Sequence, residues 1–325
     1  MNERNFTVSA PQLFCLLLFY LLSGMMLFSG GSFFPALLSV LFSCGLCVIA
    51  SAVCKKYGSS QEFFAVFGVF ARPLRLSVAF LSALPLAGTL AAFSRDIYAF
   101  YGDGAPLRFA LPLALFCIFA LLGGFHRAAR FAELCIFALA GALLLALFGG
   151  GNGVRFAFSA NELFTWLDIL GAPAAVFSLY LRCATRRNGK MSDFALGGTF
   201  HPSPLAAGVC ASLAALALWS YFCFAGENIL FSLLSCFFAL SRLLLFSLTV
   251  ADLLCYPEKR EGAKCALTAC AFCAFHIMLA SLFPDVFAKA QVLAALVPCA
   301  LFILSVFIWS DHAPTSCSSD YCSTR

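Results

Sequence analysis

The sequence predicts an all-α polytopic membrane protein that crosses the bilayer about ten times. Hydrophobic residues make up 62% of its 325 residues, and charged residues only 11%. The mean hydropathy is +0.96. A soluble domain typically carries about twice this share of charge, so the chain has too few charged side chains to cover a water-facing surface. Because a helical span needs about 20 apolar residues, this length accommodates roughly ten spans joined by short connectors.

Ten apolar segments separate along the chain, with Gly, Pro and charged residues between them. The predicted spans are 10–28, 33–54, 74–93, 106–124, 131–149, 164–181, 204–225, 229–254, 263–283 and 288–309. The first run is longer than the apolar core of a cleaved signal peptide, so we expect it to be retained as a helix. A single transmembrane domain then covers residues 1–310, and residues 311–325 form a polar tail.

The distribution of Lys and Arg predicts the orientation. If the N-terminus is cytoplasmic, 15 of the 20 basic residues fall in cytoplasmic segments, four fall in outer loops, and Arg242 lies within a span. Positive residues are retained on the cytoplasmic side of membranes. We therefore expect both termini, including the polar tail, to be cytoplasmic.

Ten spans divide into two sets of five, about 10–149 and 164–309, and an odd number of spans inverts the second set. Two spans carry helix-interrupting residues in corresponding places. Span 1 has Ser23, Gly24 and Met25 in mid-run, and span 6 has Gly171, Ala172 and Pro173. Inverted repeats with interrupted helices are a known transporter architecture that binds its substrate at the breaks. The sequence thus predicts a five-plus-five inverted repeat with broken helices 1 and 6, although a simple kink with close helix contact also explains each pattern.

Arg242 is the most informative single residue because it lies well inside span 8. A charge at that depth costs at least about 2.5–3.5 kcal/mol, so it should face a polar interior and have a partner. The candidate partners are Asp168, Asp252 and the carboxylate of a ligand. We favour Asp168, which lies one turn before the break in span 6. A structural ion pair without a ligand role is the alternative.

Several classes of activity find no support in the sequence. It contains no GxxxxGK[ST], HExxH or GxSxG motif, so we expect no enzymatic activity. The pairs Cys44/Cys47 and Cys270/Cys273 have no His, Asp or second Cys pair nearby, so neither a metal site nor another cofactor is expected. Cytoplasmic loops explain the net charge of +5 without nucleic acid.

Three stretches resemble the endospore germination permeases, which are the B subunits of spore nutrient germinant receptors. Residues 8–24 (VSAPQLFCLLLFYLLSG) are similar to that family's opening Ile-Ser…Gln before an apolar helix that ends in glycine. Residues 105–134 resemble its Thr-Pro segment, helix and Gly…Arg…Glu turn, matched here by Gly124, Arg130 and Glu133. Residues 237–254 are similar to its eighth helix. Ala105 stands where the family has Thr, and the first outer loop is reduced to GGS.

The resemblance implies the broken-helix fold of the amino acid–polyamine–organocation transporter superfamily. It also implies a small nutrient ligand, often an amino acid, and assembly with receptor A and C subunits in the spore inner membrane. Three functions remain open: a ligand-sensing receptor subunit, a secondary transporter for amino acids or similar solutes, and a membrane scaffold that binds no ligand. Membrane lipid is a partner in all three. The predicted ligand-binding residues are Ser23, Gly24, Met25, Asp168, Gly171, Ala172, Pro173 and Arg242.

Overall fold

A computed structural model describes most of the first 254 residues. It covers 8–54, 60–101, 127–147, 154–156, 165–184, 203–225 and 229–254, together with residues 271, 296–298, 300 and 301. These segments are almost entirely helical. The predicted spans 106–124, 263–283 and 288–309 lie wholly or mostly outside the described residues, as do both termini.

Nine helices run through the described segments. They are α1 (Ala10–Phe28), α2 (Phe33–Cys54), α3 (Ser60–Ala65), α4 (Ala71–Tyr101), α5 (Arg127–Ala146), α6 (Thr165–Leu170), α7 (Pro173–Ala184), α8 (Pro204–Ala225) and α9 (Ile229–Leu254). The helices α1, α2, α8 and α9 have the bounds that the apolar runs predict. A short 3-10 turn, Gly68–Phe70, joins α3 to α4 within a stretch that reads only as a polar connector.

Six segments among the described residues are long and apolar enough to cross a membrane, and α6 with α7 adds a shorter apolar pair. Large apolar side chains also cover the outside of the helices: Phe137 on α5 is 76% exposed and Leu41 on α2 is 58% exposed. Exposed apolar surface of this extent marks contact with a nonaqueous neighbour. The protein is therefore a multi-pass helical membrane protein. The ten-helix count and the inverted repeat stay predictions.

Ser9 and Gln12, two residues of the resembling stretch 8–24, lie at the start of α1. Ser9 and Gln12 form a capping box: the Ser9 main-chain N–H donates to Oε1 of Gln12 at 3.1 Å, and the Gln12 N–H donates to Oγ of Ser9 at 3.4 Å. Each side chain satisfies an amide that the first helical turn leaves without a partner. The Ser…Gln pair thus fixes where α1 begins.

The break predicted in α1 is wrong, whereas the one predicted in span 6 is present. α1 is a continuous helix through Ser23, Gly24 and Met25. α6 ends at Leu170, α7 begins at Pro173, and Gly171 between them has a φ of +62°. α1 and the α6–α7 pair lie in the interior. α1 packs against α6, α8 and α9, and α4 packs against α9. These contacts bring α1, α4, α6 and α9 together at one point.

Hydrogen bonds between side chains also connect the surrounding helices. The Ser43 and Ser212 hydroxyls are 2.9 Å apart between α2 and α8, and Nε1 of Trp219 on α8 donates to Oγ of Ser29 at the end of α1, also at 2.9 Å. The turn after α1 forms a parallel bridge between Ser32 and Arg155. The side-chain hydrogen bonds connect α2 to α8 and α8 to the end of α1, and α2 in turn packs against α6 and α7 on either side of the break.

Candidate functional site

Arg242 lies where α1, α4, α6 and α9 meet. Its side chain is fully buried. Nη1 donates to the main-chain carbonyls of Tyr20 (2.9 Å) and Ile169 (2.7 Å), and Nη2 donates to that of Asp168 (2.7 Å). Nε donates to the Thr89 hydroxyl at 3.2 Å. A guanidinium has five N–H donors, so four of the five are engaged, and the single group joins α1, α4, α6 and α9.

The end of α6 explains why carbonyl oxygens are available there. In a continuous helix the amide of residue 173 would donate to the Ile169 carbonyl, but Pro173 has no N–H. The positive φ of Gly171 then turns the chain away from the helix path. The last four carbonyls of a helix have no partner within it. Such groups must find one inside a membrane.

All four of these carbonyls are satisfied. The Gly171 amide donates to Leu167 at 2.7 Å, and Arg242 takes Asp168 and Ile169. The Tyr20 hydroxyl donates to the carbonyl of Leu170 and also reaches that of Ala172 at 3.3 Å. Free carbonyls at a helix C-terminus carry partial negative charge that a cation stabilises. Arg242 and Tyr20 therefore cap the broken helix from two other helices.

Two glycines of the predicted site, Gly24 and Gly171, allow the guanidinium of Arg242 to approach the main chain. A Cβ added at Gly24 would overlap Nη1 of Arg242 and lie 2.6 Å from the Ile169 carbonyl oxygen. A Cβ added at Gly171 would lie 2.8 Å from Nη2 of Arg242 and 2.7 Å from Cζ of Phe246. Only residues without a side chain allow the guanidinium to reach the backbone here.

Aromatic rings surround the rest of the guanidinium. Its Cζ atom lies 5.0 Å from the centroid of the Tyr20 ring, 5.1 Å from that of Phe246 and 5.7 Å from that of Phe28. Ring faces at these distances attract a cation. The buried charge is thus stabilised by carbonyl dipoles on one side and by ring quadrupoles on the other.

Asp168 is the partner of Arg242, but through a different atom from the one predicted. The hydrogen bond goes to its main-chain carbonyl, and among the described residues no carboxylate lies within ion-pair distance of Arg242. The Asp168 carboxylate is close enough to interact with Arg242 electrostatically. Asp168 also lines a small cavity with Phe28, Pro85, Leu167 and Gly171, of about 10 Å³, which is room for roughly one water molecule. None of the hydrogen bonds of Arg242 goes to Asp252.

The remaining predicted residues lie around this centre. Ser23 and Met25 are buried in α1, and Oγ of Ser23 donates to the Tyr20 carbonyl at 3.1 Å, the same oxygen that Arg242 contacts. Ala172 is buried in the break, and Pro173 is the first residue of α7. The structure thus brings Gly24 and Gly171 into contact with Arg242 and Ser23 to an oxygen that Arg242 also contacts, while Ala172 and Pro173 follow Gly171 in the chain.

Sequence reasoning missed Tyr20, Thr89 and the ring of Phe246. Tyr20 and Thr89 are polar groups inside apolar runs, which is a weak signal in a chain with 8 Tyr and many hydroxyl residues. Arg242 could not reveal them, because they precede it by 222 and 153 residues. Within the described segments, no three His, Cys, Asp or Glu side chains come together as a metal site.

Comparison with known proteins gives a distant structural likeness. No protein-family model and no curated protein matches the chain. Among solved structures it is similar to an Eremococcus coleocola manganese transporter in complex with an aromatic bis-isothiourea substituted compound, at 14% identity and a TM-score of 0.48, over 94% of this chain and 81% of that one. A variant of that transporter with one histidine replaced by alanine gives 14% identity and 0.46, over 94% and 79%. Because both TM-scores are below 0.5, the likeness leaves the activity of this chain open.

Proposed function

We propose that this protein binds a small solute next to the break between α6 and α7 and changes conformation when it does so, as a secondary transporter does. The observation that carries the proposal is the single guanidinium of Arg242, which joins α9 to α1 and α6 through hydrogen bonds to main-chain carbonyls and to α4 through the Thr89 hydroxyl. An interrupted helix at the centre of a membrane bundle is the usual place for a transported solute.

The hydrogen bonds of Arg242 to neighbouring helices support a switch between two conformations. Three of the four bonds of Arg242 go to main-chain carbonyls on α1 and α6, so competition for this one side chain would loosen both helices together. A solute carboxylate is a stronger acceptor for a guanidinium than a neutral carbonyl. Binding of such a solute therefore favours a conformation in which α6 is released from α1 and α9, and the solute shifts the equilibrium by its preference for that conformation.

The described conformation corresponds to the closed one. The cavity beside Asp168 has room for roughly one water molecule, whereas an amino acid needs several times that volume. In the open state, we propose that the solute contacts Arg242, Asp168 and the backbone of Gly171, Ala172 and Pro173. The segment formed by Ser23, Gly24 and Met25 of α1 would supply the opposite wall.

A nutrient-sensing B subunit of a spore germinant receptor is the second candidate. It has the same solute site, but the conformational change would be transmitted to A and C subunits in the spore inner membrane instead of moving the solute. Arg130 and Glu133, which match the family's turn, form an ion pair at 3.3 Å within the first two turns of α5. This pair lies at the end of α5 predicted to face the cytoplasm, where it is available to a partner.

Solute-dependent thermal stabilisation tests the proposal. The purified protein is heated with amino acids, sugars and nucleosides, and a solute that binds only the folded state raises its apparent Tm by mass action. Arg242→Met is expected to remain inserted in the membrane, to lose the response and to be destabilised by about 1–3 kcal/mol for each buried carbonyl that loses its donor. Arg127→Met, at an exposed position on α5, is the matched control.

Asp168→Asn provides a milder test, because it keeps the main-chain carbonyl that Arg242 contacts and removes only the carboxylate. We expect it to fold and to bind the solute with altered affinity. A normal solute response in Arg242→Met would contradict the assignment of the site. No response to any solute would instead favour the scaffold function or a site completed by partner subunits. Uptake into proteoliposomes separates the other two functions, since only a transporter accumulates the solute.

A further inference from the structure

The oxygen atoms around Arg242 form the kind of site that binds a free cation. Three main-chain carbonyls and one hydroxyl lie 2.7–3.2 Å from the guanidinium nitrogens. In membrane transporters, half-helix C-termini and unwound carbonyls of this kind coordinate dissolved cations such as Na⁺. Here the positive charge is covalently attached to α9.

The other walls of the site select for the type of cation. The rings of Tyr20, Phe246 and Phe28 lie 5.0–5.7 Å from the guanidinium carbon, and the π face of a ring presents no oxygen ligand. A guanidinium is weakly hydrated, stacks on aromatic rings and presents N–H donors in one plane, whereas a small metal ion gains little from such walls. The site therefore matches a planar organic cation better than Na⁺.

The backbone that carries these oxygens also has supports other than Arg242. The Tyr20 carbonyl belongs to the continuous helix α1, and those of Asp168 and Ile169 belong to the last turn of α6, which Tyr20 caps independently through Leu170. The gap left by Gly24 and Gly171 remains when the arginine side chain is shortened.

We propose that this is a cation site to which Arg242 supplies a tethered cation, so that the closed conformation needs no dissolved cation at the break. Shortening Arg242 exposes the site, which then takes a free guanidinium-type cation. The inference goes beyond the proposed function, because it concerns the ion requirement of the closed state and holds whether or not a solute is bound.

The experiment compares the full-length protein with Arg242→Ala and with the matched control Arg127→Ala, purified in detergent without any solute. Thermal unfolding is followed in low concentrations of guanidinium, methylguanidinium, Na⁺, K⁺ and tetramethylammonium chlorides at equal ionic strength. Tetramethylammonium has a positive charge and no N–H donors, so it separates hydrogen bonding from charge alone.

We expect guanidinium and methylguanidinium to raise the Tm of Arg242→Ala with saturation, by more than Na⁺ or K⁺ does, since they bind only the folded state. Tetramethylammonium should have no such effect. The unmodified protein and Arg127→Ala should show no saturable rise in any salt. The proposal is overturned if no cation gives a saturable rise in Arg242→Ala, or if the unmodified protein requires Na⁺ or K⁺ for stability.

A second pair of variants decides the matter if Arg242→Ala does not fold. Arg242→Lys keeps a tethered positive charge and should fold with a Tm that does not depend on the added cation. Arg242→Met fills a similar volume without charge and should have a markedly lower Tm. Equal Tm values for the Lys and Met variants would show that the charge does not occupy a cation site, and would overturn the proposal. Because no solute is present, failure here is distinct from failure of solute binding.

Discussion

α1 and the α6–α7 pair both pass through the centre of the bundle with a glycine at that level, yet only the second is broken. Gly24 lies within a continuous helix, whereas Gly171 has a φ of +62° and separates two helices. The difference lies in the following residues. Pro173 removes the amide that would have bonded to the Ile169 carbonyl, and no proline follows Gly24 within α1.

The comparison teaches that glycine serves two purposes in this protein. At Gly171 it provides a backbone conformation that other residues rarely adopt, and at Gly24 it provides space for the guanidinium of Arg242. Of these two regions, the interrupted one is the one in which a proline follows the glycine. The two regions meet at Arg242, because the break supplies carbonyls and the continuous helix supplies room.

Of the three substitutions that test this comparison, Gly171→Ala is expected to have the largest effect. The left-handed conformation costs about 1–2 kcal/mol for a residue with a Cβ, and overpacking against Phe246 and Arg242 adds about 1–3 kcal/mol. We expect a clear fall in the Tm of the purified protein. Gly68→Ala is the control, since Gly68 has a φ of +54° with nothing near its added Cβ. Equal losses in both variants would mean that contact with the guanidinium contributes nothing.

Gly24→Ala should have the next largest effect, of about 1–3 kcal/mol from overpacking. The added methyl group would displace the guanidinium, and the Ile169 carbonyl at 2.6 Å is backbone that cannot rotate away. Gly45→Ala, within α2 and with open space around it, should be neutral or slightly stabilising because alanine favours helices. Equal losses of stability in Gly24→Ala and Gly45→Ala would contradict the role of Gly24 in making space for Arg242.

The smallest effect is expected from Tyr20→Phe, which keeps the ring beside Arg242 and removes the hydroxyl that caps Leu170 and Ala172. Leaving a buried carbonyl without a partner costs about 1–3 kcal/mol, and only that of Leu170 is affected, because the Ala175 amide also donates to the Ala172 carbonyl at 2.9 Å. Tyr221→Phe, on the exposed side of α8, serves as the control. Unchanged chemical denaturation of Tyr20→Phe would show that Arg242 alone caps the break.

The sequence predicts the helices of this protein better than its contacts. Apolar runs locate α1, α2, α8 and α9 because the length of a span is set by the bilayer, and the glycine–proline pair locates the break because proline acts on its own helix. The charge of Arg242 also marks the centre of the site, because a charged residue is conspicuous within its own apolar run. Its partners are main-chain carbonyls, which every residue has and no sequence pattern distinguishes, so the prediction of an Asp168 carboxylate partner gave the residue but the wrong atom.

The break in α6 is completed late in the synthesis of the chain. Arg242 follows Ile169 by 73 residues, which a ribosome adds in about 4–15 s at about 5–20 residues per second. During that interval α6 can enter the membrane, but the Asp168 and Ile169 carbonyls have no guanidinium to accept from. They are left to water or to the insertion machinery until α9 arrives, so the final assembly of the interior is timed by the translation of a single arginine codon.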